Sequence, residues 1–309
     1  MTAAPHNILV IKLSALGDFV QALGPCAAIR RAHDSARITL LTTAPYAEFA
    51  ISSGYFDAVE TDNRPRWWQF GAWFALKRWL NNNSFDRVYD LQTSDRSSMY
   101  FRMLRQPKPD WSGIATGCSL PHDNPRRDFM HTIERQREQL AMAGIENVPA
   151  PNFDWVKASI EKFQLPAKFV LLVPGGSAGR PAKRWPTAHY IDLAKKLAAK
   201  GCTPALIGTG EEAERNAEIA KACPDAIDLT NKTSLPEIAA LARAAAGAIG
   251  NDNGPMHLIA AAGCPSLVVY SSTSDPALCA QRGPAVTILR RDNLADLDPG
   301  EVEAAIRLR

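Results

Sequence analysis

Four stretches of the sequence combine glycines with charged side chains directly after an apolar run. Glycine lets a backbone approach a ligand closely, and the start of a helix offers unpaired N–H groups to an anion. These features predict anion binding or proton transfer where strands give way to helices. The stretches are KLSALGDFVQALG (12–24), VPGGSAGRPAKRWPTAHY (173–190), GTGEEAERNAEIA (208–220) and GNDNGPMHLIAAAG (250–263).

Asp18 follows Gly17 where the first apolar run meets a helical pattern. An aspartate in a first helical turn is commonly stabilised by the helix dipole alone. The same carboxylate at the end of a strand could accept the proton of a substrate hydroxyl. The residues by themselves allow both interpretations.

The second stretch joins a glycine turn to a basic segment. Gly175, Gly176 and Ser177 could offer N–H groups and a hydroxyl to an anion, and Lys183 could add a positive charge. It is not a P-loop, because G-x-x-x-x-G-K-[ST] is absent, and no G-x-G-x-x-G follows the first strand. The alternative is a solvated basic loop.

The other two stretches place acidic residues at helix starts. Glu211 and Glu212 either match the helix dipole or accept hydrogen bonds from ribose or base donors. In the last stretch, Pro255 suits the first helical position, and the helix that follows could direct its N–H groups at a diphosphate. Asp252 would repel a diphosphate and is therefore expected to face sugar hydroxyls. His257 either donates to a phosphate oxygen or is structural.

Apolar strand patterns alternate with helical patterns through most of the chain, which predicts parallel sheets built from βαβ units. We expect two doubly wound, Rossmann-like α/β domains, residues 1–155 and 156–309, facing across a cleft. The last stretch, about 299–308, reads as a helix that could pack back on the first domain. In such sheets ligands collect at the carboxyl ends of the strands, where all four stretches lie.

Composition and cysteine spacing argue against several classes of function. The 309 residues carry a formal net charge of +3, which does not indicate nucleic-acid binding. The N-terminus lacks the pattern of a signal peptide, and no apolar run is long enough to span a bilayer. Six scattered cysteines form no C-x-x-C pair, so neither a zinc site nor a disulfide framework is predicted, and a cytoplasmic location is expected.

The four stretches, in this order, resemble the ADP-heptose:lipopolysaccharide heptosyltransferases, glycosyltransferase family 9, which have the GT-B fold. The resemblance rests on LSALGD, PAKRWP, SLPEIAALARAAAGAIGNDNGPMHLIAAAG and TSDP (273–276). It is strong over about 168–276, clear over 7–31 and weak between about 45 and 150. It implies inverting, metal-independent transfer of a sugar from a nucleotide-sugar donor, with ADP-heptose expected and no cofactor.

The resemblance also implies roles for single residues. Asp18 matches the general base, Lys183 the residue that holds the donor phosphates, and Asp252 a carboxylate that contacts the donor sugar. The remaining expected donor contacts are Gly176, Ser177, Glu211 or Glu212, Thr233 near the base, Asn253, and the turn of Gly254, Pro255, Met256 and His257. Two departures leave the donor's base and sugar open: the loop before Lys183 is longer than usual, and YSSTSDP replaces an aromatic-Gly-Pro-Thr-Asp-Pro run.

Residues 64–80 hold four of the seven tryptophans among basic residues. Arg64, Arg66, Trp67 and Trp68 are the expected contacts for an anionic, lipid-linked glycan acceptor. The segment, extended by Arg126 and Arg127, could also lie on the cytoplasmic face of the inner membrane. The alternative is a core helix with two aromatic faces.

Two further functions remain open at this point. One is a nucleotide-sugar epimerase of the same architecture, which would act on the donor without an acceptor. The other is a catalytically inactive paralogue that binds a nucleotide sugar or scaffolds other envelope enzymes. Retention of Asp18 and Lys183 favours catalysis.

Overall fold

A computed structural model describes residues 5–176 and 179–309, so the expected donor contact Ser177 lies outside the described residues. The chain divides into two compact units, one ending at Trp155 and the other beginning at Val156. Each unit contains its own parallel sheet covered by helices.

The first unit alternates strands and helices along the chain. Its elements are β1 (Asn7–Ile11), α1 (Leu16–Ala32), β2 (Arg37–Thr42), α2 (Ala44–Ser52), β3 (Ala58–Thr61), α3 (Phe70–Asn82), β4 (Arg87–Asp90), α4 (Asp95–Met103), β5 (Asp110–Gly113), β6 (Leu120–Pro121) and α5 (Thr132–Met142).

The second unit repeats this alternation. Its elements are β7 (Phe169–Val173), α6 (Thr187–Ala199), β8 (Thr203–Leu206), α7 (Ala213–Ala222), β9 (Ile227–Asp228), α8 (Leu235–Ala244), β10 (Gly247–Asn251), α9 (Gly254–Ala261), β11 (Ser266–Tyr270), α10 (Pro276–Cys279), β12 (Val286–Arg290) and α11 (Pro299–Ala305).

The two sheets share one strand order. The first runs β3-β2-β1-β4-β5-β6, and the second runs β12-β11-β10-β7-β8-β9, which is the same order when its strands are counted from β7. The order reverses between β1 and β4 in the first sheet and between β7 and β10 in the second. Ligands of doubly wound sheets bind beyond the strand ends at such a switch point.

The central strands are apolar because helices cover both faces of a parallel sheet. β1 is buried from its second residue onward, and β7 and β10 are buried throughout. In the second unit Trp185 fills the core, and its indole N–H donates to the carbonyl of Leu297 at 3.0 Å. The buried Trp185 thus anchors the basic segment that follows the glycine turn to the core of the second unit.

Most predicted elements are present, although several end earlier than their patterns suggested. The strand predicted by NILVIKL (7–13) ends at Ile11, which leaves Lys12 and Leu13 in the loop, and the helix expected from about Asp18 begins at Leu16. The sequence did not reveal β3, β5, β6 and β12, because these strands are short or only partly buried. The last helix, α11, was expected to pack back on the first domain, but its Val302 lies in the core of the second unit, where α11 contacts α6.

Candidate functional site

The switch point of the second sheet is held together by Asn251, the last residue of β10. Its amide donates to the carbonyls of Pro174 and Gly175 at 2.7 and 2.9 Å. Its side-chain oxygen accepts from the backbone N–H of Trp185 at 3.0 Å and the hydroxyl of Tyr190 at 3.1 Å. Asn251 therefore joins the end of β10 to the glycine turn after β7 and to the basic segment. The sequence analysis did not assign it a role.

Lys183 and Asp252 meet at this switch point. The ammonium Nζ donates to Oδ2 of Asp252 at 2.7 Å, and only 13 and 7% of the two side chains is exposed. Burial by itself would raise the pKa of Asp252, but the hydrogen bond and the charge of Lys183 lower it below its ordinary value. We expected the lysine at the donor phosphates and the aspartate at the donor sugar; the structure brings these two expected donor contacts together as an ion pair.

Three more side chains surround this carboxylate. The amide of Gln281 donates to Oδ1 of Asp252 at 3.2 Å, and the hydroxyl of Tyr270 donates to Oε1 of Gln281 at 2.7 Å. Ser274, from the TSDP stretch, also hydrogen-bonds to Asp252 and helps to lower its pKa. Burial and the nearby Asp252 raise the pKa of Tyr270, so its hydroxyl remains a donor. Neither Gln281 nor Tyr270 was predicted as a site residue, because neither lies in one of the four stretches.

Helix α9 begins at Gly254 with Pro255 in its first turn, as the sequence predicted. Asn253 caps it: its Oδ1 accepts from the N–H of Met256 at 3.1 Å, and its amide donates to the carbonyl of Gly175 at 2.9 Å. Met256 was expected to contact the donor, but its side chain is fully buried and its N–H is used by the cap. His257 is also buried, and its charge helps to lower the pKa of Asp252.

The glycine turn after β7 is close-packed. A Cβ at Gly175 would lie 2.8 Å from Oε1 of Glu212, so a larger residue here would have to displace that carboxylate. The carbonyl of Gly176 accepts from Arg184 at 2.9 Å, and that of Pro174 accepts from Arg215 at 3.2 Å. Both arginines supply positive charge around the turn in addition to Lys183, and the sequence analysis assigned a role to neither.

Glu211 and Glu212 differ in what they contact. Glu212 turns inward, where its Oε2 accepts from the N–H and the hydroxyl of Thr209 at 2.8 Å each. Glu211 is exposed. Thr233 is half-buried and precedes Ser234, which caps α8 together with Glu237. Glu212 thus has a structural task in its turn, which leaves Glu211 as the outward-facing carboxylate of the pair.

The switch point of the first sheet holds three charged residues. Asp18 is half-buried in the first turn of α1, and its Oδ2 accepts from the N–H of Ala15 at 3.3 Å. Lys12 follows β1, is only 4% exposed, and donates from Nζ to the carbonyl of Leu91 at 3.1 Å. Burial lowers the pKa of Lys12, while the charges of Asp18 and Asp90 oppose that shift. The capping contact and the strand-end position expected for Asp18 are therefore both present.

Asp90 ends β4 and is fully buried. Its Oδ1 accepts from the N–H groups of Gln92 and Thr93 at 3.1 and 2.9 Å, whereas its Oδ2 has no hydrogen-bond partner among the described residues. Burial raises the pKa of Asp90 to about 6, although these hydrogen bonds and Lys12 act against the rise. In the sequence, Asp90 lies within the strand pattern RVYDLQ (87–92), but no local feature shows that its carboxylate is enclosed.

Basic residues continue along this part of the first unit. The guanidinium of Arg127 donates to Thr93 Oγ1 at 2.6 Å and to Nδ1 of His122 at 3.2 Å. Arg135 donates to Thr132 Oγ1 at 3.1 Å. Burial lowers the pKa values of His122 and Arg127, and the charge of Arg135 adds to both shifts. Arg127 is thus attached to the loop after β4, where its charge interacts with that of Asp90.

The tryptophans of residues 64–80 divide between the core and the surface. Trp73 and Trp79 pack, half-buried, against the hydrophobic core of the first unit, with Leu80. Trp67 and Trp68 are 76 and 50% exposed. Residues 64–80 therefore contribute aromatic side chains both to the core and to the surface. Neither of the two alternatives describes the whole segment.

The described part of the chain contains no group of three or more His, Cys, Asp or Glu side chains placed to hold a metal ion. Among the same residues, no helix combines the length and the apolar character needed to cross a bilayer.

Comparison with known proteins assigns the chain to a family. A sequence profile for "Glycosyltransferase family 9 (heptosyltransferase)" matches residues 73–297, which is most of the chain, and the chain belongs to this family. Lipooligosaccharide heptosyltransferase 2 of Haemophilus influenzae is 37% identical over 106 residues, 33% of this chain. The chain spans only 30% of the length of that relative. Lipopolysaccharide heptosyltransferase 1 of Escherichia coli K12 is 24% identical over 94% of this chain and 96% of its own length.

A solved structure shows the same fold. The E. coli heptosyltransferase WaaC with ADP has a TM-score of 0.77 and 20% identity, over 96% of this chain and 98% of that one. The predicted α/β class with two doubly wound sheets, and the GT-B fold implied by the resemblance, are confirmed.

Proposed function

We propose that this protein transfers a heptose-type sugar from a nucleotide-sugar donor, ADP-heptose, to a lipopolysaccharide core or a related envelope glycan. Family membership supports sugar transfer, and the names of the relatives support this donor and acceptor. The observation that carries the proposal is the Lys183–Asp252 pair, which lies beside the glycine turn at the switch point of the second sheet. A lysine held in this way presents a fixed positive charge where a doubly wound sheet binds phosphates.

The ion pair leaves room for both expected roles. An ammonium has three N–H donors, and Asp252 uses one of them, so Lys183 keeps donors for a diphosphate. A carboxylate has about four acceptor sites, so Asp252 can bind Lys183 and Gln281 and still accept from a sugar hydroxyl. In the proposal, Asp252 orients the lysine, and Gly176, Ser177, Gly254, Pro255 and His257 surround the phosphates.

Asp18 acts as the general base of the proposed reaction. It takes the proton of the acceptor hydroxyl, whose oxygen attacks the anomeric carbon while the bond from that carbon to the diphosphate breaks. Attack from the side opposite the leaving group inverts the anomeric centre. Lys183 and the N-terminus of α9 stabilise the charge that develops on the diphosphate, so the step needs no divalent metal. Glu211, Glu212 and Thr233 belong to the nucleoside side of the donor.

The acceptor is anionic and lipid-linked, and the protein acts in the cytoplasm at the inner membrane. Arg64 and Arg66 precede α3, and Arg64 donates to Ser14 Oγ at 3.2 Å in the loop that leads to Asp18. A cation at this position, together with Arg127, would hold an anionic acceptor close to the base.

A transfer assay tests the proposal. Purified protein is given ADP-heptose with and without a lipopolysaccharide acceptor that lacks heptose, and release of ADP and the mass of the acceptor are followed. We expect ADP release only with acceptor, equal rates with and without EDTA, and an inverted anomeric configuration by NMR.

Each alternative function gives a different outcome. Conversion of the donor sugar without acceptor would indicate an epimerase and overturn the proposal. Donor binding in calorimetry with no turnover under any condition would indicate an inactive paralogue. Loss of activity in EDTA that Mg²⁺ restores would overturn metal independence while leaving sugar transfer intact.

A further inference from the structure

The outward face of α3 and the loop before it expose large aromatic side chains. Phe70 and Phe74 are 72 and 68% exposed, beside the exposed Trp67 and Trp68. Phe70 and Phe74 are four residues apart and so share one face of the helix. Of the eight large hydrophobic side chains that are exposed in the described residues, these four fall within eight consecutive positions. A concentrated apolar patch of this kind marks an interaction surface.

This face is separate from the one that packs inward. Trp73, Leu76 and Leu80 face the hydrophobic core of the first unit, as residues three to four apart on a helix do. The inward face already supplies the apolar contacts that fold α3 onto its unit. Folding therefore does not account for a second aromatic face directed at solvent.

The loop that carries the two exposed tryptophans is held in place. The indole N–H of Trp73 donates to the carbonyl of Arg66 at 3.0 Å, and Gln69 Oε1 accepts from the N–H of Arg66 at 2.7 Å. The rings of Trp67 and Trp68 pack edge to face at 5.4 Å, with the guanidinium of Arg66 5.3 Å from the centre of the Trp68 ring. The aromatic side chains are thus presented in a defined arrangement.

The charge of the segment is of one sign. Residues 63–85 contain Arg64, Arg66, Lys77 and Arg78 and no aspartate or glutamate. Lys77 and Arg78 are exposed and lie one turn beyond Phe74. Tryptophan prefers the interface between membrane and water, and basic residues beside an apolar helix face are attracted to anionic headgroups.

We propose that Trp67, Trp68, Phe70 and Phe74, with Arg66, Lys77 and Arg78, form a docking surface for an anionic lipid bilayer. The aromatic rings enter the headgroup region while the three cations pair with lipid phosphates. The inference extends the proposed function, because Arg64 connects this segment to the loop before Asp18 and would bring the base to a lipid-linked acceptor. The binding itself requires neither donor nor acceptor.

Sedimentation with vesicles tests the surface. The protein is mixed, without donor, with vesicles of phosphatidylcholine alone or of phosphatidylcholine containing roughly 30% phosphatidylglycerol. We expect binding to the anionic vesicles that weakens as salt is raised. The W67S/W68S/F70S/F74S variant should lose at least about 100-fold in affinity, since its apolar contact with the interface is removed.

Two matched controls separate this surface from general effects. I51S/M142S removes exposed apolar side chains elsewhere in the first unit and should bind like the parent. K77Q/R78Q should lose roughly 30-fold on anionic vesicles, whereas K195Q/K221Q, with the same charge change at exposed sites of the second unit, should lose little. The conservative W67F/W68F variant should bind and should lose the fluorescence blue shift that the parent shows on vesicles.

The outcomes distinguish this inference from the proposed function. Unchanged vesicle binding by the four-site serine variant overturns the docking surface, even if sugar transfer is established. If the surface instead joins two copies of the chain, the same variant will change the sedimentation coefficient and not the vesicle binding, which also overturns it. Transfer to a lipid-free acceptor fragment should persist in an F70S/F74S variant, because these two exposed side chains act on the membrane and not on the reacting atoms.

Discussion

Each sheet has a lysine in the segment after its first strand in the chain and an aspartate at or just after the end of the neighbouring strand, with different results. In the second unit, Lys183 follows β7, Asp252 follows β10, and the two side chains meet at 2.7 Å. In the first unit, Lys12 follows β1 and Asp90 ends β4, but Lys12 donates to the carbonyl of Leu91. The pKa of Asp252 is lowered, whereas that of Asp90 is raised to about 6.

The contrast shows what a buried carboxylate needs to remain ionised. Both aspartates lose hydration on burial, which disfavours the charged form. At Asp252, a lysine at hydrogen-bonding distance from one oxygen and a donor to the other oxygen restore the stability of the charged form. Asp90 has two backbone donors on Oδ1 and a hydrogen bond from the side chain of Ser97, but among the described residues no lysine or arginine forms an ion pair with it. Burial therefore outweighs these hydrogen bonds at Asp90 and raises its pKa, whereas the ion pair keeps the pKa of Asp252 low.

The largest effect is expected from Asp18→Asn, which removes the half-buried carboxylate of the first unit. Transfer should fall by about 10³-fold or more, because the acceptor hydroxyl loses its base, while the affinity for ADP in calorimetry stays unchanged. Asp95→Asn is the matched control, since Asp95 is an exposed aspartate in the first turn of α4. A weaker affinity for ADP in Asp18→Asn would assign this residue to donor binding.

The Lys183–Asp252 pair can be broken from one side. Lys183→Met should lower the free energy of unfolding by about 3 kcal/mol at pH 7, because Asp252 is left buried without its cation. The pKa of Asp252 is depressed in the folded state, so its contribution is present above the ordinary value of 3.8 and is lost as pH falls through the folded pKa. Urea denaturation at several pH values measures both the loss of unfolding free energy and its dependence on pH.

A double variant checks that this loss comes from the pair. Lys183→Met/Asp252→Asn should be less destabilised than Lys183→Met alone, because it no longer buries an unpaired charge. Equal losses in the two variants would show that the lysine stabilises the fold through something other than its ion pair.

Asp90→Asn is expected to stabilise the protein above the pKa of Asp90, whereas Lys183→Met is expected to destabilise it. The folded pKa of about 6 lies above the ordinary value of 3.8, so the stability from protonated Asp90 is present below about pH 4 and is lost as pH rises through about 6. The ionised form should cost about 3 kcal/mol at pH 8, and the asparagine variant should be more stable than the parent there. Denaturation curves at pH 5 and 8 test this, and equal stability of parent and variant at both pH values would refute it.

The smallest effects separate Glu211 from Glu212. Glu212→Ala should cost about 1 kcal/mol of unfolding free energy, because Thr209 loses the acceptor of its capping contacts. Glu211→Ala should leave stability within about 0.5 kcal/mol and weaken ADP binding, because its carboxylate is exposed. If Glu212→Ala weakens ADP binding more strongly than Glu211→Ala at equal stability, the assignment within this pair is reversed.

Local patterns in the sequence were sufficient for the architecture. Apolar runs such as ILVI and FVLLV predicted buried parallel strands, and Gly-Pro at 254–255 predicted the start of α9. These signals are local because an apolar run, a proline in a first turn and a helix cap each involve only residues that are neighbours in the sequence. Position after a strand was also enough to direct attention to Asp18, Lys183 and Asp252, although their roles stay predictions.

Only the tertiary structure decided which side chains meet. Lys183 and Asp252 are 69 residues apart and pair because β7 and β10 are neighbours in the sheet, an adjacency that no local pattern encodes. The enclosure of Asp90 likewise depends on the strands and helices around it. The division of the tryptophans into inward Trp73 and outward Trp67 depends on where α3 rests on its unit. Charge state and exposure follow from such long-range packing, since burial and hydrogen-bonding partners set both.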